Sequence, residues 1–378
     1  MKEGQEIRLS VLEDAEVQAA VQELFSSPSL LEHMQRALPT EIHNLLLAAK
    51  AEVHSTADFQ EKMMLPFLRF VERYSMTGIS VNGLEQLDPQ QKYLFISNHR
   101  DIGLDSAFLN KALYDAGFTT TQIAIGDNLM THRLAELIFR INKSFAVLRS
   151  GTPRELYSHS IRMSSYIHEM IQSGQDSIWI AQREGRAKDG NDFTQVGILK
   201  MLSLSKQDDL VAHFKELNIV PVAISYEYDP TALAKTLEHL QKLENPDYKK
   251  SFKADIQHII MGIFGPKGQV HLHFGKPLNA SIDQLNELPN DKKRLAAMVG
   301  MIDQSIHQNY GLHAINYAAL DLMEGRADFD QHYSNQDRET AITYFKDLLT
   351  QVPKGQYEEG KEYLLGMYAN PVRNRGVK

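Results

Sequence analysis

The chain of 378 residues contains no cysteine. Disulfide bonds, thiolate metal sites and a cysteine nucleophile are therefore excluded together, and the composition fits a reducing cytoplasm. An excess of basic residues is also missing, because 40 lysines and arginines stand against 48 aspartates and glutamates and give a net charge of −8. Proteins that bind nucleic acid usually carry a basic excess, so we expect no nucleic-acid partner.

Long apolar runs are absent too. No stretch approaches the roughly 18 uninterrupted apolar residues that a membrane-spanning helix needs. Residues 1–13 are mixed and charged, without the apolar centre of a signal peptide. We therefore expect a cytoplasmic globular protein, and peripheral contact with the inner face of the cell membrane is the alternative that we keep open.

The middle of the chain alternates short apolar runs with helical patterns. Strands are predicted at residues 93–96, 121–125, 145–148, 177–180, 219–224 and 269–274. Helices are predicted between them at residues 105–114, 132–141, 154–173 and 230–243. This order is typical of an α/β fold with a mainly parallel sheet flanked by helices.

Both ends of the chain have helical patterns. We predict a helical N-terminal region over residues 1–80, an α/β domain over residues 81–280 and a helical C-terminal region over residues 281–378. The predicted helix at residues 60–74 has a strongly apolar face. We expect this face to pack on the α/β domain, while docking on a bilayer is the alternative interpretation.

The sequence Ser97-Asn98-His99 follows a predicted strand and precedes a predicted helix. Ligands of open α/β sheets bind at the carboxyl ends of strands, and a histidine there can act as a general base. Asp101 and Asp105 could each orient the imidazole, although Asp101 could instead pair with Arg100. A surface histidine beside a helix cap would show the same pattern, so these residues alone leave both interpretations open.

Three further motifs follow in order. The first runs from residues 124–129 to a strand that ends at Arg149, the second is residues 183–190 (REGRAKDG), and the third is residues 219–224 (IVPVAI). Together with the histidine motif they resemble the glycerolipid acyltransferase superfamily, most of all its glycerol-3-phosphate and dihydroxyacetone-phosphate branch. The resemblance covers roughly residues 80–280 and implies that residues 81–280 form the catalytic domain.

The resemblance implies that His99 is the general base and that an aspartate orients it. The family usually has four residues between the two, which would place the aspartate at Leu104. We favour Asp105, with one inserted residue absorbed by the flexible backbone of Gly103, and Asp101 stays the alternative. Backbone amides at the start of the following helix could stabilise the oxyanion.

The resemblance also implies a set of acceptor-binding residues. Arg149, Arg186 and Lys188 correspond to basic positions that bind the acceptor phosphate, since guanidinium groups suit phosphate oxygens. Glu184 is expected to shape the loop through backbone hydrogen bonds, and Gly185 to permit a close approach of the chain. The second of the three motifs is one residue short, which leaves open the register between Arg186 and Lys188.

The implied reaction moves a fatty acyl group from acyl-carrier protein or acyl-CoA to a hydroxyl of glycerol 3-phosphate. One alternative is sn-2 acylation of lysophosphatidate, so the acceptor is a glycerol phosphate or a lysophospholipid. Another is a catalytically silent lipid-binding relative. We expect no cofactor and no metal, because His271 and His273 alternate along a strand without further ligands nearby.

Overall fold

The computed structural model describes residues 9, 11–207 and 209–376. Its centre is a seven-stranded sheet in the order β1-β7-β6-β2-β5-β3-β4. The strands are β1 Met76–Asn82, β2 Leu94–Ser97, β3 Gln122–Gly126, β4 Ser144–Val147, β5 Ile178–Ala181, β6 Ile219–Tyr226 and β7 Gly268–Phe274. All neighbouring pairs are parallel except β6 and β7. The predicted α/β fold with a mainly parallel sheet is confirmed.

Helices precede, connect and follow the strands. The first group is α1 Asp14–Phe25, α2 Pro28–Ala37, α3 Thr40–Ala49, α4 Thr56–Phe59, a π-helical turn Gln60–Met64 and α5 Leu65–Ser75. The second is α6 Leu104–Asp115, α7 Arg133–Ile141, α8 Pro153–Gln172, α9 Val196–Leu202, α10 Leu210–Glu216, α11 Ala232–Glu244 and α12 Phe252–Phe264. The third is α13 Asn279–Ile282, α14 Asp291–Asn309, α15 Ala314–Glu324, α16 Asn335–Leu349 and α17 Tyr357–Arg375.

Each face of the sheet is covered by its own apolar core. Side chains alternate along a strand, so neighbours in β2 point to opposite faces. Phe95 packs with α1, α5 and α6 on one side, whereas Leu94 and Ile96 pack with α8, α10 and α14 on the other. A third core joins α11 to the C-terminal helices α15, α16 and α17.

The apolar face of the predicted 60–74 helix lies in the first of these cores. Met63, Leu68 and Val71 are each at most 3% exposed. Burying side chains of this size stabilises the fold by roughly 1.5–3 kcal/mol each. This face therefore packs on the α/β domain and is not available to a bilayer.

Two features bear on the predicted regions. Strand β1 crosses residue 80, so the sheet begins before the predicted boundary at residues 80/81. The division at residues 80 and 280 otherwise stays a prediction. In the part of the chain that the structure describes, no helix has both the length and the apolar character that crossing a membrane requires.

Candidate functional site

The site is built at one edge of the sheet. Strand β2 lies between β6 and β5, and the three run parallel with Ser97 opposite both Ala181 and Val222. Parallel strands end at the same edge, so the segments after residues 97, 181 and 226 meet there. His99 comes two residues after β2 and stands in this position.

The structure pairs His99 with Asp105. The imidazole Nδ1 lies 2.9 Å from Asp105 Oδ2, and Asp105 is only 1% exposed. Three further donors hold the carboxylate: the Arg100 amide at 2.6 Å, the Asp101 amide at 2.9 Å and the Tyr226 hydroxyl at 3.0 Å. Because this pairing uses Nδ1, the ring nitrogen that it leaves available is Nε2.

Asp101 has a different task. Its Oδ1 accepts hydrogen bonds from the amides of Gly103 at 3.0 Å and Leu104 at 2.8 Å, which caps the start of α6. Burial, and then the neighbouring Asp105 carboxylate, raise the pKa of Asp101. The alternative pairing with Arg100 does not form, since the Arg100 guanidinium instead lies 3.6 Å from Asp192.

The extra residue between His99 and Asp105 is not accommodated by a backbone conformation that only glycine can adopt. Gly103 has φ −119° and ψ −29°, a conformation open to any residue, and a Cβ there would meet nothing within 4 Å. The loop is instead fixed by its amides, because those of residues 100 and 101 bind Asp105 and those of residues 103 and 104 bind Asp101. These four amides are committed and do not form the oxyanion site expected at the helix start.

Three side chains that sequence reasoning missed complete the surroundings of His99. Trp179 on β5 meets the imidazole edge-on at 5.9 Å, and its indole donates to Ser97 Oγ at 3.0 Å. Tyr226 is the donor to Asp105 described above. Asn98 spans to β6, donating to Ile224 O at 2.9 Å and accepting from the Ile224 amide at 2.7 Å. Neighbouring strands thus fix the loop on both sides.

Arg149 and Glu184 approach each other at this edge. The guanidinium Nε lies 3.8 Å from Glu184 Oε1, with Arg149 one-third exposed. Gly126 makes room for it, because a Cβ there would come within 2.4 Å of the Arg149 Nε. The Arg149 amide also donates to Asp127 at 3.2 Å. The structure therefore brings the strand-ending arginine to the loop that carries Glu184.

Arg186 and Lys188 are held by the helices α11 and α12. Arg186 is buried and donates to Thr231 Oγ1 at 3.3 Å and to His258 Nδ1 at 2.9 Å. Lys188 forms an ion pair with Glu238, and burial lowers the pKa of its ammonium group. Both cations already have protein partners, so Arg149 is the more accessible of the predicted phosphate ligands.

Glu184 and Gly185 shape the loop differently from what the resemblance implied. The Glu184 amide donates to Gln195 Oε1 at 2.9 Å, while its own carboxylate is exposed and faces Arg149. Gly185 has φ +68°, which favours glycine, and a Cβ at this position would meet nothing within 4 Å. The glycine is required by the backbone turn, and a close approach of the chain is not its reason.

The sequence is similar to those of known proteins. Residues 78–225 match the family model described as Acyltransferase. A glycerol-3-phosphate acyltransferase from Xanthomonas axonopodis pv. citri (strain 306) is 27% identical over 265 residues, which is 65% of this chain. The match covers only 29% of the length of that relative.

A solved structure is also similar to this chain. The 1-acyl-sn-glycerophosphate (LPA) acyltransferase PlsC from Thermotoga maritima aligns over 78% of this chain and 97% of its own, at 12% identity and a TM-score of 0.39. A likeness of this size has no bearing on the function. By the family model, residues 78–225 form an acyltransferase domain, and the chain is similar in sequence to a glycerolipid acyltransferase.

Proposed function

We propose that the protein transfers a fatty acyl group from an acyl thioester, carried by acyl-carrier protein or coenzyme A, to a hydroxyl of glycerol 3-phosphate. The observation that carries the proposal is the pair of His99 and Asp105 at the carboxyl edge of the sheet. The similarity to a protein named glycerol-3-phosphate acyltransferase supports the choice of acceptor.

The His99 pair suits the chemistry of this transfer. In the proposed reaction His99 takes the proton from the acceptor hydroxyl while the oxygen attacks the thioester carbonyl. The C–S bond then breaks, the new ester C–O bond remains, and His99 returns the proton to the leaving thiolate. Asp105 orients the ring and stabilises its imidazolium form between the two steps.

Arg149 is the proposed main contact to the acceptor phosphate. Its guanidinium is partly exposed, and among the residues that the structure describes its ion-pair partner is the exposed Glu184 carboxylate at 3.8 Å, so a phosphate could compete for it. Arg186 and Lys188 would act at longer range from the positions in which α11 and α12 hold them. Glu184 would turn away into solvent when the phosphate binds.

A pair of substitutions with a matched control tests the proposal. His99→Ala should lower kcat with glycerol 3-phosphate by roughly 10²–10⁴-fold, since a general base contributes that much. Asp105→Asn should also lower kcat, and His33→Ala, an exposed histidine on α2, should not. Turnover is followed by transfer of a labelled acyl group, and thermal unfolding checks that each variant folds.

The acceptor that the protein acylates distinguishes the proposed function from its alternatives. Parallel assays with glycerol 3-phosphate and lysophosphatidate separate sn-1 from sn-2 acylation, because only one of these substrates already carries an acyl chain. A wild-type protein that turns over neither acceptor would favour a silent lipid-binding relative. Full activity of the His99→Ala variant would show that His99 is not the general base.

We also propose that the protein contacts an anionic membrane surface through α12. Ile260 and Met261 on this helix are 48% and 37% exposed. Lys249 and Lys253 lie exposed near its start, so the face is apolar at one end and basic at the other. The helix also lies against the His99 loop, since a Cβ at Gly262 would come within 2.0 Å of Asp101. A membrane-bound product would therefore form close to the bilayer.

A further inference from the structure

A second group of chemically active side chains lies away from His99. His168 stands on α8, while His213 and Glu216 stand one turn apart on α10. Each offers one ligand atom, and these atoms all lie within 4.8 Å of one another. Helix α10 leads through residues 217–218 into the start of β6, so the cluster lies at the amino-terminal edge of the sheet, opposite to the catalytic edge.

His213 is held as a metal-binding histidine would be. Its side chain is buried at 4% exposure, and its Nε2 lies 2.8 Å from the carbonyl oxygen of Leu202 at the end of α9. That hydrogen bond needs a proton on Nε2, so Nδ1 keeps the lone pair. Histidines that bind metals almost always donate the other ring nitrogen to a carbonyl or carboxylate in this way.

The other two side chains would have to rotate to close around an ion. His168 and Glu216 are 30% and 50% exposed, and His168 Nε2 lies 2.8 Å from Glu216 Oε2. Tetrahedral zinc with bonds of about 2.0–2.1 Å places its ligand atoms about 3.4 Å apart. The largest separation must therefore shorten by about 1.4 Å, which rotation of these exposed side chains provides while buried His213 stays in place.

We propose that His168, His213 and Glu216 bind a divalent transition-metal ion, with Zn²⁺ as the best match, and that the ion clamps α8 to α10. Two imidazoles and one carboxylate are a zinc donor set, and water would fill the fourth position. The neighbouring cation Lys206 is neutralised by Asp291 at 2.6 Å and does not oppose the ion. The sequence did not reveal this site because α8 and α10 are separated by the 37 residues 173–209, and only folding brings them together.

Calorimetric titration of the tag-free protein with ZnCl₂ tests the site. We expect one ion per chain, a rise of a few degrees in Tm at saturating zinc, and with Co²⁺ the visible absorption of a tetrahedral complex. Glu216→Gln alters an exposed side chain and His168→Ala a partly exposed one, so both variants should fold, and both should bind zinc at least tenfold more weakly. His33→Ala, which removes a histidine elsewhere, should bind as the wild type does.

Two results would overturn the site. One is a wild-type protein that binds no zinc at millimolar concentration. The other is one-to-one binding that persists unchanged in both His168→Ala and Glu216→Gln, because the ion would then occupy other histidines. Acyl transfer by these variants should stay at the wild-type rate, since the cluster lies at the edge opposite to His99.

Discussion

Two aspartates four residues apart have opposite environments, and at the scale of single residues this difference defines the site. Asp105 collects four donors, one of them from His99, whereas Asp101 closes the loop by capping α6. A carboxylate with so many fixed donors cannot rotate away from the imidazole. The direction of Nε2 is therefore set by Asp105 and by the two amides and the hydroxyl that hold it.

Tyr226→Phe tests this positioning. Burial and the nearby Asp105 raise the pKa of the Tyr226 hydroxyl well above its usual range, so it remains a donor at all working pH values. Removing it leaves one Asp105 oxygen short of a partner, at a cost of about 1 kcal/mol in the alignment of His99. We expect kcat to fall roughly 5- to 10-fold while KM changes less than twofold. Steady-state kinetics measure both, and an unchanged kcat in a folded variant would show that the bond is dispensable.

Sequence separation explains which of these residues could be predicted. His99 and Asp105 are six residues apart, so a local pattern includes both. Tyr226 lies 121 residues from Asp105, and Trp179 joins His99 only because β5 and β6 flank β2. The sequence predicts that these strands exist but does not contain their order. The contacts that hold the catalytic pair are therefore the part that sequence reasoning could not supply.

At the scale of elements, the apolar strands and several longer helices were predictable, whereas strand β1 and the short helices were not. All six predicted strands form within two residues of their expected bounds. Strand β1 was missed because its sequence MTGISVN has few apolar residues and pairs with β7 as an edge strand. Helices α9 and α10 have seven residues each, too few for a helical period to show.

The sequence pattern did not predict helix α12 for a different reason. Residues 259–264 are apolar almost without interruption, so no period appears, although Ile260 and Met261 stay exposed in the fold. Ile260→Glu combined with Met261→Glu should reduce co-sedimentation with vesicles of anionic phospholipid several-fold, because each change places a negative charge against the bilayer surface.

Leu45→Glu serves as the matched control, since Leu45 on α3 is exposed to a similar degree, 37%, at a distant element. We expect it to bind vesicles as the wild type does. Binding that falls equally in both proteins, or in neither, would assign the membrane contact to another surface. Acyl transfer to a soluble acceptor without vesicles should be the same in all three proteins.

At the scale of the whole molecule, buried polar and ionic contacts join the His99 loop to later parts of the chain. Arg100 pairs with Asp192 and donates to Tyr310 at the end of α14. Lys235 on α11 pairs with Asp229 and donates to the Arg100 carbonyl oxygen at 3.0 Å. Breaking one partner of such a buried pair is costly. The overall charge of −8 predicts none of this, because it counts charges without placing them.

A buried histidine, His258, and a partly buried one, His313, give the molecule a pH dependence that can be measured. Burial, with Lys250 and Arg186 nearby, lowers the pKa of His258 to about 4, although Glu238 and Asp255 act in the opposite direction. Burial alone lowers the pKa of His313 to about 4. Between pH 6.5 and 4 these two histidines therefore bind protons in the unfolded chain but not in the folded chain. The free energy of unfolding falls as the pH falls through this range.

The combination of His258→Gln and His313→Asn should remove this effect. Glutamine keeps an acceptor for Arg186 and Lys250, asparagine suits the N-cap of α15, and neither titrates. We expect the wild type to lose about 1 kcal/mol more per histidine than the variant between pH 7.5 and 4.5, after allowing for solvent near both rings. Urea unfolding at the two pH values measures the difference. An equal loss of unfolding free energy in both proteins would mean that carboxylates alone destabilise the fold at low pH.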